Sequence, residues 1–501
     1  MDEPVVLFKP PMIFDSNPNS ITAGARPPIR DALFAGLFVA MLTTAGALVF
    51  GAVPESLISW DAIRGAVVAF FLVVALCSAL AATTASCDPT RIALRFALVI
   101  WMFLLVSEDL FTRSTGDLHS VLREQFSVSA YGELGLWIVA CLVLLVASLR
   151  SPQYLRYMFS GQFRWILIFC ALSVVSTARS PQPWYCMAWA FKLCLVVLLL
   201  AMFSTLIRDS NSLRAFLRAT LWACLFYLVV EVYLGFADPS TAFEGGRFGQ
   251  SSNSLSVIAG TVLILSLTLR SQIPGVWAIV IGILASIIMI LSGGKAGIAS
   301  GVLSATLFYL LRKKVGSAVA LLSAIACLGI ALYMFTPLGS YFDTYAKEGG
   351  AATLSGRTDL WAGASPLIQQ HLILGHGYMA SRFASMQLEG VHWEADHMHN
   401  AFLDVLYNNG LIGMGLVLIL HGIIVMNLLN VIRYSGAPPE LHNVAAGCLA
   451  LYVNLLISAF FNSTIGGRPS TLFMLFLALF VVSGSLRQLT KSRRSLDCTN
   501  V

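Results

Sequence analysis

Runs of about 18 or more apolar residues recur from near residue 32 to near residue 487, and a run of that length is what a helix needs to cross a bilayer core. Backbone polar groups find no water there, so each run must close its own hydrogen bonds as a helix. The rest of the composition agrees. The chain is 57% hydrophobic and 11% charged, with a mean hydropathy of +0.80, whereas soluble domains carry roughly 25% charged residues. Polar side chains are too few to cover a globule of 501 residues. Disordered, collagen-like and disulfide-scaffold classes are excluded as well. The expected fold is an all-α polytopic membrane protein with about 12–14 transmembrane helices.

Hydropathy places spans near 32–51, 62–83, 92–108, 132–149, 164–178, 185–206, 213–236, 254–270, 275–291, 296–311 and 317–335, then 401–430 (with a Gly-containing bend), 442–462 and 469–487. The corresponding organisation is a cytoplasmic tail over 1–31, eleven helices over 32–335, a large outside loop over 336–400, the last helices over 401–487 and a second cytoplasmic tail over 488–501. The first thirty residues hold Pro10, Pro11, Pro18, Pro27 and Pro28 and no long apolar core. A cleaved signal is therefore not expected, and the first span reads as an anchor. With both termini inside, nineteen Lys and Arg fall in inside connections, among them Arg312, Lys313 and Lys314, against ten outside. That bias is the positive-inside pattern. It accounts for the net charge of +6 without nucleic acid, because the cations are scattered among loops. Most of the ten cysteines, such as Cys77, Cys141, Cys170, Cys194, Cys224, Cys327 and Cys448, lie in apolar runs and no CxxC occurs, so they read as small core residues.

The 336–400 connection stands apart. Loops beyond about 15 residues are usually functional or disordered. This one carries Trp361, a helix-like stretch from Arg357 to Leu374, the turn-prone Gly375-His376-Gly377, and His371, His376, His392 and His397. It closes on His399-Asn400 at the entrance to the next span. A neutral imidazole accepts a proton near pH 7, so His399 is a sensible general base; an interfacial hydrogen-bonding residue is the bland alternative. Gly410, Gly413 and Gly415 follow on a short helical stretch where small residues permit close packing. Arg247, Lys295 and Arg357 all fall on the same outside face. Lys295 opens a span, where free amides and the helix dipole favour an anion. Headgroup contact is the competing role for each cation. Lys192 and Glu231, inside spans, are candidates for an ion pair, and Asp404 either orients the site or bonds a neighbouring helix.

His399-Asn400, then Gly410 and Gly413, with Ala401-Phe402-Leu403-Asp404 between, resemble the signature of the O-antigen ligase/polymerase superfamily, and its exopolysaccharide polymerase members in particular. Gly246-Arg247-Phe248-Gly249 with Asn253, Ser292-Gly293-Gly294-Lys295, Ser355-Gly356-Arg357 with Trp361, and Gly375-His376-Gly377 fall in the family's order, so the resemblance covers about 245–415. Two departures stand out. Lys295 replaces the usual Arg, which trades a two-pronged grip for a point charge, and fourteen spans exceed the twelve or so of a ligase.

The resemblance implies a GT-C-like enzyme of the bacterial inner membrane. Such an enzyme joins glycans on the periplasmic face as a metal-independent, inverting glycosyltransferase without a cofactor. His399 would be the catalytic base. Arg247, Lys295 and Arg357, with Asn400 and His397, would bind an undecaprenyl-diphosphate-linked glycan, while Gly410 and Gly413 would be structural. The acceptor is another lipid-linked repeat for a polymerase and lipid A core for a ligase. A flippase and a chain-length regulator are further partners of such a reaction, beside membrane lipids. A polysaccharide or lipid transporter is the rival class, although transport does not require the long loop ending in His399-Asn400.

Overall fold

The architecture follows from how each apolar helix satisfies its own backbone while its few polar side chains choose neighbours. The computed structural model describes residues 89–112, 161–237, 252–347, 357–387 and 397–499, all within one unit spanning Glu55–Val501. The spans expected at 32–51, 62–83 and 132–149 lie outside the described residues, as does Arg247. Every described element is helical.

In chain order the helices are α1 (Pro89–Thr112), α2 (Arg164–Ser176), α3 (Pro183–Leu206), α4 (Ser210–Ala237), α5 (Ser252–Thr268), α6 (Gly275–Leu291), α7 (Lys295–Leu311) and α8 (Val315–Phe335). Then come α9 (Leu338–Lys347), α10 (Arg357–Gln370), α11 (Ala401–Arg433), α12 (Pro439–Ala459) and α13 (Thr471–Thr499). Among the described residues seven helices are long and apolar enough to cross a membrane, α2 counted with its flanking turns as Gly161–Arg179, and four shorter apolar helices accompany them. These coincide with the eleven sequence-derived spans that fall on described residues. The chain is an all-α, multi-pass membrane protein.

Two polar knots hold the bundle. Asn454 on α12 donates to the Val257 carbonyl (3.1 Å) and Thr261 Oγ1 (3.3 Å) of α5, and accepts from Ser300 Oγ of α7 (2.7 Å). The helices approach closely there because Gly260 faces Gly301; a Cβ on Gly260 would sit 3.2 Å from the Gly301 Cα. Near the other end of the bundle, Asn427 of α11 donates to Gln162 (2.8 Å) and accepts from Arg487 of α13 (3.1 Å). Arg214 pairs with Glu440 at the start of α12. In hydrocarbon a lone amide costs several kcal/mol, so such residues tie helices that apolar contact alone would leave indifferent.

The 336–400 segment is more structured than the sequence suggested. It contains α9, which hydropathy did not reveal. The helix-like stretch from Arg357 ends at Gln370 instead of continuing to Leu374. Residues 371–377 leave helical geometry to make the contacts described below, which is why that helix stops early. Of the described cysteines in apolar runs, Cys170, Cys224 and Cys448 are buried. Cys327 on α8 is exposed, so it is not a core residue.

Candidate functional site

The site is built around a break in α11. Gly410 has φ 63 and ψ −162, non-helical values that favour glycine. In a continuous helix the Tyr407 and Asn408 carbonyls would accept from the amides of Leu411 and Ile412. Here the loop takes over all four groups. His376 N–H donates to the Tyr407 carbonyl (2.8 Å) and Gly377 N–H to that of Asn408 (2.9 Å), while Leu411 and Ile412 donate to the carbonyls of Leu372 (2.8 Å) and Ile373 (3.3 Å). A buried backbone group without a partner costs about 1–3 kcal/mol, so the break exists because segment 372–377 fills it.

Close approach explains the glycines on both sides. A Cβ on Gly375 would lie 2.5 Å from the Asn408 carbonyl, and one on Gly410 would collide with the Ile373 carbonyl. The sequence placed Gly410, Gly413 and Gly415 on one packing seam, and the structure divides them. Gly410 makes the break, Gly413 sits against the Asn409 side chain, and Gly415 faces open space.

Side chains lock the same junction. Asn408 accepts from Ser381 N–H (2.7 Å) and donates to Ser381 Oγ (3.1 Å). Tyr378 donates its hydroxyl to the Gly467 carbonyl (2.7 Å), and its amide donates to Ser176 Oγ (3.1 Å). His376 stacks on Tyr407 (ring centroids 4.3 Å) and bonds the Leu367 carbonyl through Nε2 (2.7 Å). Donation to a carbonyl places the proton on Nε2. Burial pushes the His376 imidazole below the usual 6.5; the Leu367 bond opposes that shift, and neighbouring His371 and Arg179 add to it. Arg179 in turn reaches His371 Nδ1 (3.3 Å).

The turn before α11 carries the candidate base. His399 is half-buried and has φ 48, in the left-handed region that few residues with a side chain adopt, histidine among the more frequent. Its amide donates to His397 Nδ1 (2.9 Å), and the two rings meet edge to face at 4.0 Å. Asn400 is the N-cap of α11, its Oδ1 accepting from the amides of Phe402 (3.0 Å) and Leu403 (3.1 Å). Trp361 of α10 donates to the Met398 carbonyl (2.8 Å), and Leu360, Ala364, Met398 and Tyr407 share one buried cluster. Arg357 lies one turn before Trp361 on α10, so it belongs to the element seated on this turn. Lys295 is the first residue of α7, with Gly294 as N-cap. The Ser300–Asn454 bond holds that part of α7 against α12, whose end reaches the α11 entrance through Phe460 and Phe402 (4.9 Å). His397, His399, Asn400, Lys295 and Arg357 therefore open on the same end of the bundle.

Residues 279–418 match the O-antigen ligase family. That segment contains Lys295, Arg357, His397, His399, Asn400, Gly410 and Gly413, and it begins after Arg247. The match supports the O-antigen ligase/polymerase superfamily and, in general terms, a glycan-joining role in a multi-pass membrane protein. No curated protein matches the chain.

Sequence reasoning singled out Lys192 but missed its aromatic neighbour and the other groups at this end. Arg382 lies over the Tyr185 ring (5.8 Å), Tyr185 meets Phe383 (5.9 Å), and Lys192 Nζ lies over Trp189 (4.8 Å). Tyr185, Trp189 and Lys192 follow helical spacing on α3, but Arg382, the basic partner of Tyr185, is distant in sequence, and only folding of the loop onto α3 brings it there. Lys192 and Glu231 are both buried.

Proposed function

We propose that this protein is a periplasmic-face glycosyltransferase that joins an undecaprenyl-diphosphate-linked glycan to a sugar hydroxyl, most simply polymerising exopolysaccharide or O-antigen repeats. The observation that carries the reading is His399 held at φ 48 where the long loop enters α11, on an end of the bundle shared with Lys295 and Arg357, inside the O-antigen ligase match. Backbone strain persists where the surroundings impose it, and such places cluster at working sites.

In this reading the acceptor hydroxyl gives its proton to the His399 imidazole as its oxygen attacks the anomeric carbon. The bond from that carbon to the diphosphate oxygen breaks, and the diphosphate leaves with the electron pair. Lys295, Arg357 and Arg247 stabilise the charge that gathers on it, and direct displacement inverts the anomeric centre. His397 and the Asn400 amide contact glycan or diphosphate beside the base. Orientation follows from the bias of Lys and Arg toward connections on the opposite side from the loop, which leaves both termini cytoplasmic. Transfer to lipid A core would use the same chemistry with a different acceptor.

The test is joining activity of the purified protein in nanodiscs, with a lipid-linked donor, across donor concentrations. His399→Ala should abolish turnover with expression and folding intact. Lys295→Gln should lower donor use about ten- to hundredfold, the loss of a charge-assisted contact worth roughly 1.5–3 kcal/mol. Parental turnover in His399→Ala would remove the base and with it this mechanism.

A further inference from the structure

We infer that Asp404 is a positioning residue for His399, acting through the Met398 peptide; this rests on the glycosyl-transfer reading above. Asp404 lies in the first turn of α11 and is fully buried. A carboxylate so placed at a membrane entrance is expensive unless it has work to do. Its Oδ1 accepts from Met398 N–H (3.0 Å). The carbonyl of the same Met398 accepts from Trp361 Nε1 (2.8 Å). Met398 is thus held at both its amide and its carbonyl, one residue before the left-handed His399.

Ser381 and Ser463 also face the carboxylate, and His397 lies within its electrostatic reach. His397 accepts the His399 amide through Nδ1 (2.9 Å), so that nitrogen carries no proton. The His399 turn is held by two acceptors in series, the Asp404 carboxylate and the His397 imidazole. Charged and titratable groups on the surrounding elements are Arg357 and Asp359 on α10, His371 and His376 in the loop, Arg382 on the short helix, Arg179 after α2 and Arg468 before α13. Asp404 lies within the α11 turn itself, ahead of all of these in chain proximity to His399.

Asp404→Leu removes the acceptor for Met398 N–H. It should lower kcat about ten- to hundredfold, the scale of a small misplacement of a catalytic group, with donor KM unchanged. Asp404→Asn keeps an acceptor for that amide and should retain most of the parent's kcat. Trp361→Phe removes the other half of the Met398 clamp. It should lower kcat with donor KM unchanged, and it serves if Asp404→Leu fails to fold. A folded Asp404→Leu protein with the parent's kcat overturns the inference, as does a loss of thermal stability alone, or parental kcat in Trp361→Phe. His399→Ala in the same assay separates the failures: if it is inactive while the Asp404→Leu variant is normal, only this inference falls.

Discussion

Helices α8 and α11 have the same peak hydropathy, 2.3, yet 11% of that window is buried in α8 and 44% in α11. A transfer scale sees two equivalent spans. The difference lies in the polar minority. α11 buries Asp404, Asn408, Asn409, His421 and Asn427, each aimed at another element or a neighbouring turn. α8 turns Val319, Ile330 and Met334 outward, and among its residues only Ala318 and Ile325 are buried. Apolar content puts a helix into the membrane, whereas hydrogen-bonding side chains decide whether it becomes interior.

The comparison breaks most sharply at Gly410. Alanine there would carry its Cβ into the Ile373 carbonyl at a positive φ. We expect loss of activity and destabilisation of about 3 kcal/mol or more, from strain together with loss of the loop's four hydrogen bonds. Thermal unfolding in nanodiscs and limited proteolysis between residues 372 and 400 measure it. Asn408→Leu should come next. It keeps the bulk but strands the Ser381 amide, which now donates at 2.7 Å, at a cost of about 1–3 kcal/mol. A thermal midpoint equal to the parent's would show that apolar packing alone seats the loop.

A pH series sharpens the same contrast. The depressed His376 group is neutral in the fold, and the unfolded chain takes up its proton first as pH falls. Its contribution is fully present above the unfolded value of about 6.5 and is lost as pH falls from there through the lower folded value. Acidification from pH 7.5 toward 5 should therefore loosen the loop more in the parent than in His376→Phe, read by hydrogen exchange at residues 372–377 and 407–412. The smallest effect belongs to α8. Ile330 is 61% exposed, so Ile330→Leu should change stability by less than about 0.5 kcal/mol and leave turnover unchanged. A large loss there would mean that α8 meets a neighbour through that face.

Much of the fold was legible because hydrophobicity is local. The eleven spans read along the described residues coincide with helices, and the bend expected in 401–430 falls at Gly410. α9 was hidden, since its ten residues are too polar and too short for a hydropathy signal. The site was legible as a set of residue types: His399 at a loop–span junction, Lys295 at a helix start, and glycines around 375 and 410. Their partners were not. Nothing near Gly410 in the chain announces that Leu372, Ile373, His376 and Gly377 will supply its missing hydrogen bonds, and nothing near Tyr185 announces Arg382.

Sequence by itself determined that this chain is a multi-pass membrane protein and where the spans among the described residues lie, and it offered candidates for proton transfer and anion binding. Those properties depend on each residue's own transfer energy and on neighbours within a turn or two. Tertiary structure alone decided that α11 could be interrupted, that Asn400 caps it while Asp404 and Trp361 grip Met398, and that the loop closes the break. Those outcomes depend on hydrogen-bonding groups tens to hundreds of residues apart, for which the membrane interior offers no solvent substitute.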